Sequence, residues 1–334
     1  MTNVVDSHDP YTRYLEEKHS KFNTPEVIIS EEVVKAIRSL PVTKVKVIRG
    51  EVNEVYDVLT ESGKSVIVRI SRSNHPSFDT EKWAIDEVRR RGVPVPKVLL
   101  VEKVEIDEEP RTFSIEEKIE GETLNALTES DTGKKALKKI IIEAGRILSL
   151  INSVEAPAFG FLNRAMEGKW RSWQDYVLRV EEKYERTIET AGRVGIPTAM
   201  IEQAVNILRK NRSLYKRDTP FLIHGDFSPK HILVRNESIV GILDFEGCRG
   251  GDPIFDLSWL NFFHSEDIPL EWIMEGYENK SIFDENFERK FQLYKLNLAL
   301  DLLVYYESEG NQGGVDHSKR ELYKALRYFK KPRT

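Results

Sequence analysis

HGDFSPKHILV at 224–234 and GILDFEGCRGGDPIFDLSWL at 241–260 set acidic residues directly after short apolar runs. Between Phe221 and Phe245 the runs FLIH, HILV and IVGILDF alternate with turn-like segments, which is the spacing of strands separated by loops. Asn236 to Ser238 supply the tip of a hairpin. A hairpin returns the chain, so Asp226 and Asp244, each at a strand–loop junction, are expected at one edge. Two carboxylates so placed can divide two tasks. One positions a hydroxyl and takes its proton, and the other gives oxygen to a metal that holds a phosphoryl donor.

Upstream, residues 10–21 and 30–40 read as helices, the second opening at Ser30 as N-cap with Glu31 and Glu32 behind it. From Thr43 to Ile70 the period changes to that of strands. KVKVIRG, VNEVYDVLT and SVIVRI, with a turn at ESGK, predict an antiparallel meander. A helix follows over 78–91 and stops at Gly92, because Pro94 and Pro96 cannot continue it. KVLLVEKV and RTFSIEEKI then add two strands around the acidic turn EIDEEP. Five strands with one inserted helix make a small N-terminal lobe, set at residues 1–119.

Beyond Gly121, apolar residues recur at helical spacing over 131–153, 171–193, 197–213, 268–278, 285–308 and 317–329. Residues 309–316, within SEGNQGGVD, are expected to be a flexible connector before the last helix. The second lobe, over 120–334, is thus mainly helical, and the fold class is α+β and bilobal. There is no internal repeat.

The chain has 334 residues, of which 40% are hydrophobic and 31% charged, the balance of a globular protein. Its formal charge of -5 argues against nucleic acid as a partner. Cys248 is the one cysteine, so no intrachain disulfide or thiol cluster can form, as suits a reducing cytoplasm. The charged N-terminus lacks a signal-peptide core, and no apolar run reaches the roughly 20 residues that span a bilayer. A cytoplasmic protein without a membrane partner is expected.

The 224–260 block closely resembles the HGD-x4-N and I-D-x6-GDP-x2-D signatures of aminoglycoside phosphotransferases and their relatives, which share a bilobal protein-kinase-like fold. The resemblance implies a small-molecule kinase using ATP or GTP with magnesium. It implies Asp226 as catalytic base and Asp244 and His231 at the metal, His231 standing where the family usually has asparagine. Asp252 and Asp256 would organise the loop and the following helix. RGEVNEVYDV at 49–58 resembles the glycine-containing turn that covers nucleotide phosphates, which points to Gly50 and Asn53. Arg69 falls where kinases carry a phosphate-binding lysine, and Glu81 matches the helix glutamate that holds it. RTFSIEEKIEGETL resembles the hinge, bringing the backbone of Glu117, Lys118 and Ile119 to the adenine edge. The similarity spans about 43–265 and leans toward the hygromycin and macrolide phosphotransferase branches.

The expected acceptor is a hydroxylated small molecule: an aminoglycoside or macrolide antibiotic, an amino alcohol or a sugar. A cationic antibiotic would suit an acidic pocket containing Glu246, Glu271 or Glu275. His231 and the single-glycine turn also fit a catalytically weak nucleotide-binding pseudokinase. A protein kinase fits poorly, since seven residues between Asp244 and Asp252 are too few for an activation segment. Trp170 and Trp173 read as packing residues. Cys248 reads as a small packed side chain, and His19, His75, His264 and His317 lack ligand spacing.

Overall fold

The computed structural model describes residues 23–47, 53–71, 78–128 and 133–330. Its first part is a five-stranded antiparallel sheet. β1 (Pro41–Val47), β2 (Glu54–Thr60), β3 (Ser65–Ser71), β4 (Val98–Ile106) and β5 (Glu109–Glu117) lie in the order β1-β2-β3-β5-β4. The period-two pattern buries Tyr56 and Val58 of β2, Val66, Val68 and Ile70 of β3, and Phe113 and Ile115 of β5 in one small core. Helix α1 (Glu26–Ile37) closes that core with Ile29 and Val33.

The start of α1 departs from the sequence expectation. The helix begins behind Pro25, and Ser30 lies inside it with its hydroxyl donating to the Glu26 carbonyl at 2.8 Å. Ile29 and Val33 explain the shift: spaced i, i+4, they carry the buried stripe back past Ser30. The helix expected over 10–21 lies outside the described residues.

Helix α2 (Phe78–Arg90) follows β3, as the sequence predicts. Its inner face does not join the sheet core. Ala84, Ile85 and Val88, with Val93, Val95 and Val98 after them, pack into the large core of the second part. The inserted helix therefore ties the two parts together.

The second part contains α3 (Leu124–Thr128), α4 (Lys134–Ile151), α5 (Trp173–Val177), α6 (Tyr184–Arg193), α7 (Thr198–Lys210), α8 (Ile254–His264), α9 (Leu270–Gly276), α10 (Phe287–Ser308) and α11 (Gln312–Lys330). Helix α10 is buried on several sides, through Phe291, Leu293, Tyr294, Leu296, Leu298, Leu300 and Leu303, and is the axis of this core.

Two helical expectations are corrected. The stretch 171–193 is broken into α5, a 3-10 turn at Leu178–Glu181, and α6. The break is held by Arg179, whose guanidinium lies 3.9 Å from the Tyr176 ring centroid and pairs with Asp301 of α10. The connector at 309–316 is only three residues long, since α11 starts at Gln312. Asn311 caps it by accepting the Gly314 N–H at 2.9 Å.

Short strands complete the frame: β6 (Glu122–Thr123), β7 (Phe159–Leu162), β8 (Gly168–Trp170), β9 (Phe221–Ile223), β10 (Ile232–Arg235), β11 (Ser238–Ile242) and β12 (Arg249–Gly251). They form two sheets ordered β11-β10-β6 and β8-β7-β12-β9. β6, β7, β8 and β12 are two to four residues long, too short to show a period. The β10–β11 hairpin pairs Arg235 with Ser238 across Asn236 and Glu237. Both tip residues have positive φ (52° and 57°), the conformation of a tight type I′ turn. Among the described residues no helix is long and apolar enough to cross a membrane.

Candidate active site

Strand β9 ends at Ile223, and the chain turns through His224 and Gly225 to Asp226. Burial fixes this turn. The His224 ring accepts the Asp226 backbone N–H at Nδ1 (3.2 Å) and donates from Nε2 to the Leu243 carbonyl (3.1 Å), so one neutral tautomer satisfies both contacts. Its fully buried position lowers the imidazole pKa to about 4. Gly225 has φ +85°, and a Cβ there would lie 2.1 Å from the Gly247 carbonyl oxygen, so glycine alone fits. Asp256 of α8 accepts the backbone N–H groups of His224 and Gly225 and the Asn152 side-chain amide, each at 2.9 Å. Asp252 caps α8 through the Ile254 N–H at 3.1 Å and accepts the Tyr294 hydroxyl at 2.9 Å. Both aspartates organise the loop, as expected.

Asp226 is held at both oxygens. Oδ1 accepts the Trp259 indole N–H at 2.9 Å, and Oδ2 lies 3.1 Å from both His231 Nε2 and Lys230 Nζ. Burial works to raise its pKa, but these donors together hold the carboxyl well below the usual range.

The hairpin carries Asp244 to the same place. Its φ of 65° lies in the left-handed region, which aspartate tolerates better than most residues. Oδ2 is 3.5 Å from His231 Nε2, and Oδ1 is 3.5 Å from the Arg69 guanidinium. Burial opposes ionisation here too, but His231 and Arg69 prevail and the pKa is lowered. The ligand atoms of Asp226, His231 and Asp244 all lie within 4.8 Å of one another, close enough to share one divalent cation. At His231 Nε2 a proton and a cation would compete for one lone pair.

On the other side of Asp244, Arg69 on β3 donates to Glu81 of α2 at 2.6 Å, with both side chains buried. The same guanidinium lies 3.2 Å from Glu246 and 5.1 Å from the Phe78 ring centroid. Asn53 donates to Glu246 at 2.7 Å, so Glu246 joins the start of β2 to Arg69. Burial pushes the carboxyls of Glu246 and of Glu116 on β5 up to about 7 each, although Arg69 works to lower both. Glu81, Glu116, Asp244 and Glu246 thus crowd around one guanidinium.

Asp226, His231, Asp244, Arg69, Glu81 and Asn53 are therefore joined in one network of contacts. Gly50 lies outside the described residues. At the hinge, the N–H groups of Glu117 and Lys118 are taken by the carbonyls of Lys97 (2.9 Å) and Ser65 (3.2 Å), which removes those donors from recognition of a base. Ile119 rests on Gly241 of β11. Two of the carboxylates offered for an acidic acceptor pocket, Glu246, Glu271 or Glu275, already have partners. Glu246 turns to Arg69 and Asn53, and Glu275 pairs with Lys138 at 3.0 Å.

Trp173 is fully buried and donates to the Tyr294 hydroxyl, the half-buried Trp170 packs edge-on to Tyr176, and Cys248 is buried. His264 and His317 join no metal-binding group among the described residues, while His19 and His75 lie outside them. The sequence reading missed Trp259, Lys230 and Glu116. A signal existed for the first: Trp259 follows Asp256 by three residues, so both project from one helix face.

A family model described as "phosphotransferase enzyme family" matches residues 44–285. Similar solved structures include a thermostable mutant of aminoglycoside phosphotransferase APH(4)-Ia in ternary complex with ADP and hygromycin B. It is 16% identical, with a TM-score of 0.73 over 90% of this chain and 98% of the other. A gentamicin complex of APH(2")-IIa is 20% identical, with a TM-score of 0.59 over 90% and 96% of the two chains. A protein assigned as a fructosamine-3-kinase of Thermobifida fusca YX-ER1 is 17% identical, with a TM-score of 0.62 over 88% and 98%. No curated protein matches the sequence.

Proposed function

The chain belongs to the phosphotransferase enzyme family, and from that membership we propose that it moves the γ-phosphoryl group of ATP or GTP onto a hydroxyl of a small molecule. The observation that carries this reading is the convergence of Asp226, His231 and Asp244, with the Arg69–Glu81 pair on the facing side. Asp226, kept ionised by its donors, accepts the hydroxyl proton. The hydroxyl oxygen bonds to the γ-phosphorus as the bridging oxygen–phosphorus bond to the nucleoside diphosphate breaks.

Arg69 faces the α- and β-phosphates, and Glu81 fixes the guanidinium for that contact. Asp244 and His231 would hold magnesium, which supplies charge neutralisation on the phosphates. Residues 1–119 serve the nucleotide, with Asn53 and Arg69 on the phosphate side and the Glu117–Ile119 segment beside the base. Residues 120–334 carry the base and the acceptor site.

An aminoglycoside is the acceptor favoured here, because the similar solved structures include aminoglycoside phosphotransferase complexes with hygromycin B and gentamicin. The fructosamine-3-kinase likeness gives a sugar amine as the second choice.

The test is a screen of nucleotide consumption with magnesium-ATP and magnesium-GTP against hydroxylated small molecules, run with wild type and Asp226→Ala. An acceptor should stimulate consumption in wild type and not in the variant. Wild-type turnover in Asp226→Ala would remove the base assignment.

A further inference from the structure

Helix α8 reaches the Asp226 loop twice. Asp256 takes the loop's backbone N–H groups, and Trp259, one turn on, takes the side chain by donating its indole N–H to Asp226 Oδ1 at 2.9 Å. The indole is itself held by packing. It stacks on Phe255 (6.5 Å between centroids, 28° between planes) and meets Phe263 at 5.1 Å and 56°.

Rotation about an aspartate χ2 is soft, so the direction of the carboxylate lone pairs depends on its partners. The partners of Oδ2 are variable ones. Lys230 is 60% exposed on a long stem, and His231 also faces Asp244 as a candidate cation ligand. The indole N–H differs from both. It only donates, does not titrate, and sits on a packed ring.

We propose that Trp259 is a positioning residue for phosphoryl transfer, setting the rotation of the Asp226 carboxylate toward the incoming hydroxyl. The inference rests on Asp226 as the base. Oδ2 already meets His231 and Lys230, whereas the one donor at Oδ1 leaves that oxygen's second lone pair for the hydroxyl proton, so positioning and proton acceptance are compatible.

The test uses the full chain with magnesium-ATP and magnesium-GTP and water as the acceptor, so that no acceptor need be identified. Hydrolysis is measured for wild type, Trp259→Phe, Asp226→Asn and the double variant. Trp259→Phe should lower the rate constant about tenfold with the nucleotide KM unchanged, since a small misplacement of a reacting group is enough for such a loss. In the Asp226→Asn background the same substitution should cost nothing further. Trp259→His, which keeps a ring donor, should recover part of the rate.

A contact readout accompanies the rates. In a spectrum of ¹⁵N-labelled indoles, the one of five signals that disappears in Trp259→Phe should move in Asp226→Asn. Equal losses in both backgrounds, or a wild-type rate for Trp259→Phe beside an impaired Asp226→Asn, would overturn the positioning role alone. Wild-type hydrolysis by Asp226→Asn would instead remove the base assignment, and this inference with it.

Discussion

Asp226 and Glu246 stand at opposite ends of one chain of contacts that runs through His231, Asp244 and Arg69. Their environments are opposite in kind. Asp226 has a donor at each oxygen, and its carboxyl is held in the ionised form. Glu246 shares one guanidinium with Glu81 and Asp244 and takes the Asn53 amide, and burial raises its pKa to about 7. The Asp226 end is preorganised, whereas the Glu246 end is short of positive charge. The protein thus settles one half of the site in the free state and leaves the other half unbalanced.

The sharpest way to break the comparison is Asp226→Ala. Loss of a positioned general base should lower turnover by about 10²–10⁴ with nucleotide affinity nearly unchanged. Steady-state kinetics beside nucleotide titration reads both quantities. A variant that loses nucleotide binding instead would place Asp226 at the unbalanced end.

Removing the guanidinium attacks the other end. Arg69→Ala leaves Glu81 buried without its cation, and breaking a buried pair this way costs about 3–5 kcal/mol. Urea denaturation should show that loss, and the nucleotide KM should rise. Glu81→Ala should raise KM less, because it disorders the arginine without deleting it.

A third expectation sharpens the charge argument. Burial pushes the Glu116 carboxyl in the folded chain up to about 7, from an ordinary value of 4.5. Between those values the folded state binds the extra proton, so stability rises as pH falls through 7, and the penalty is complete above it. Glu116→Gln should therefore stabilise the protein by about 2–3 kcal/mol at pH 8, and the gain should shrink below about 1 kcal/mol by pH 5. Paired melts at the two pH values check the sign. A gain that grows toward acid would place Glu116 among satisfied carboxylates.

The smallest effect is expected at His231, midway along the chain of contacts. His231→Asn keeps a single acceptor atom and should retain substantial activity. His231→Ala should raise the magnesium requirement severalfold, read from magnesium titrations of turnover for both variants. Identical curves for alanine and wild type would leave His231 with only a packing role.

What could be read from sequence followed the range of the signal. The meander, the inserted helix and the β10–β11 hairpin were legible because period and turn chemistry are local. The Arg69–Glu81 pair and the meeting of Asp226 with Asp244 were legible through the family motifs. Ser30 misled because a good cap residue cannot outweigh two buried residues on either side of it. Glu246 reads in sequence as a carboxylate for an acceptor pocket, since nothing near it announces Asn53 at 193 positions' distance. The helix spacing puts Trp259 on the face of Asp256, but its partner lies 33 residues away in a different element, which that spacing does not name.

The contact between Arg69 and Glu246 has a consequence for how a nucleotide would enter. The guanidinium already carries carboxylates, so a triphosphate arriving in the proposed reaction does not capture an unpaired cation. It exchanges one anion for another, as in an ion-exchange resin. Net binding then depends on how much more charge the newcomer brings than Glu246 gives up, and it favours polyvalent phosphates over monovalent ones. Inorganic phosphate and nucleoside monophosphates should displace Glu246 poorly. In the proposed reaction the resting contact would thereby act as a valence filter.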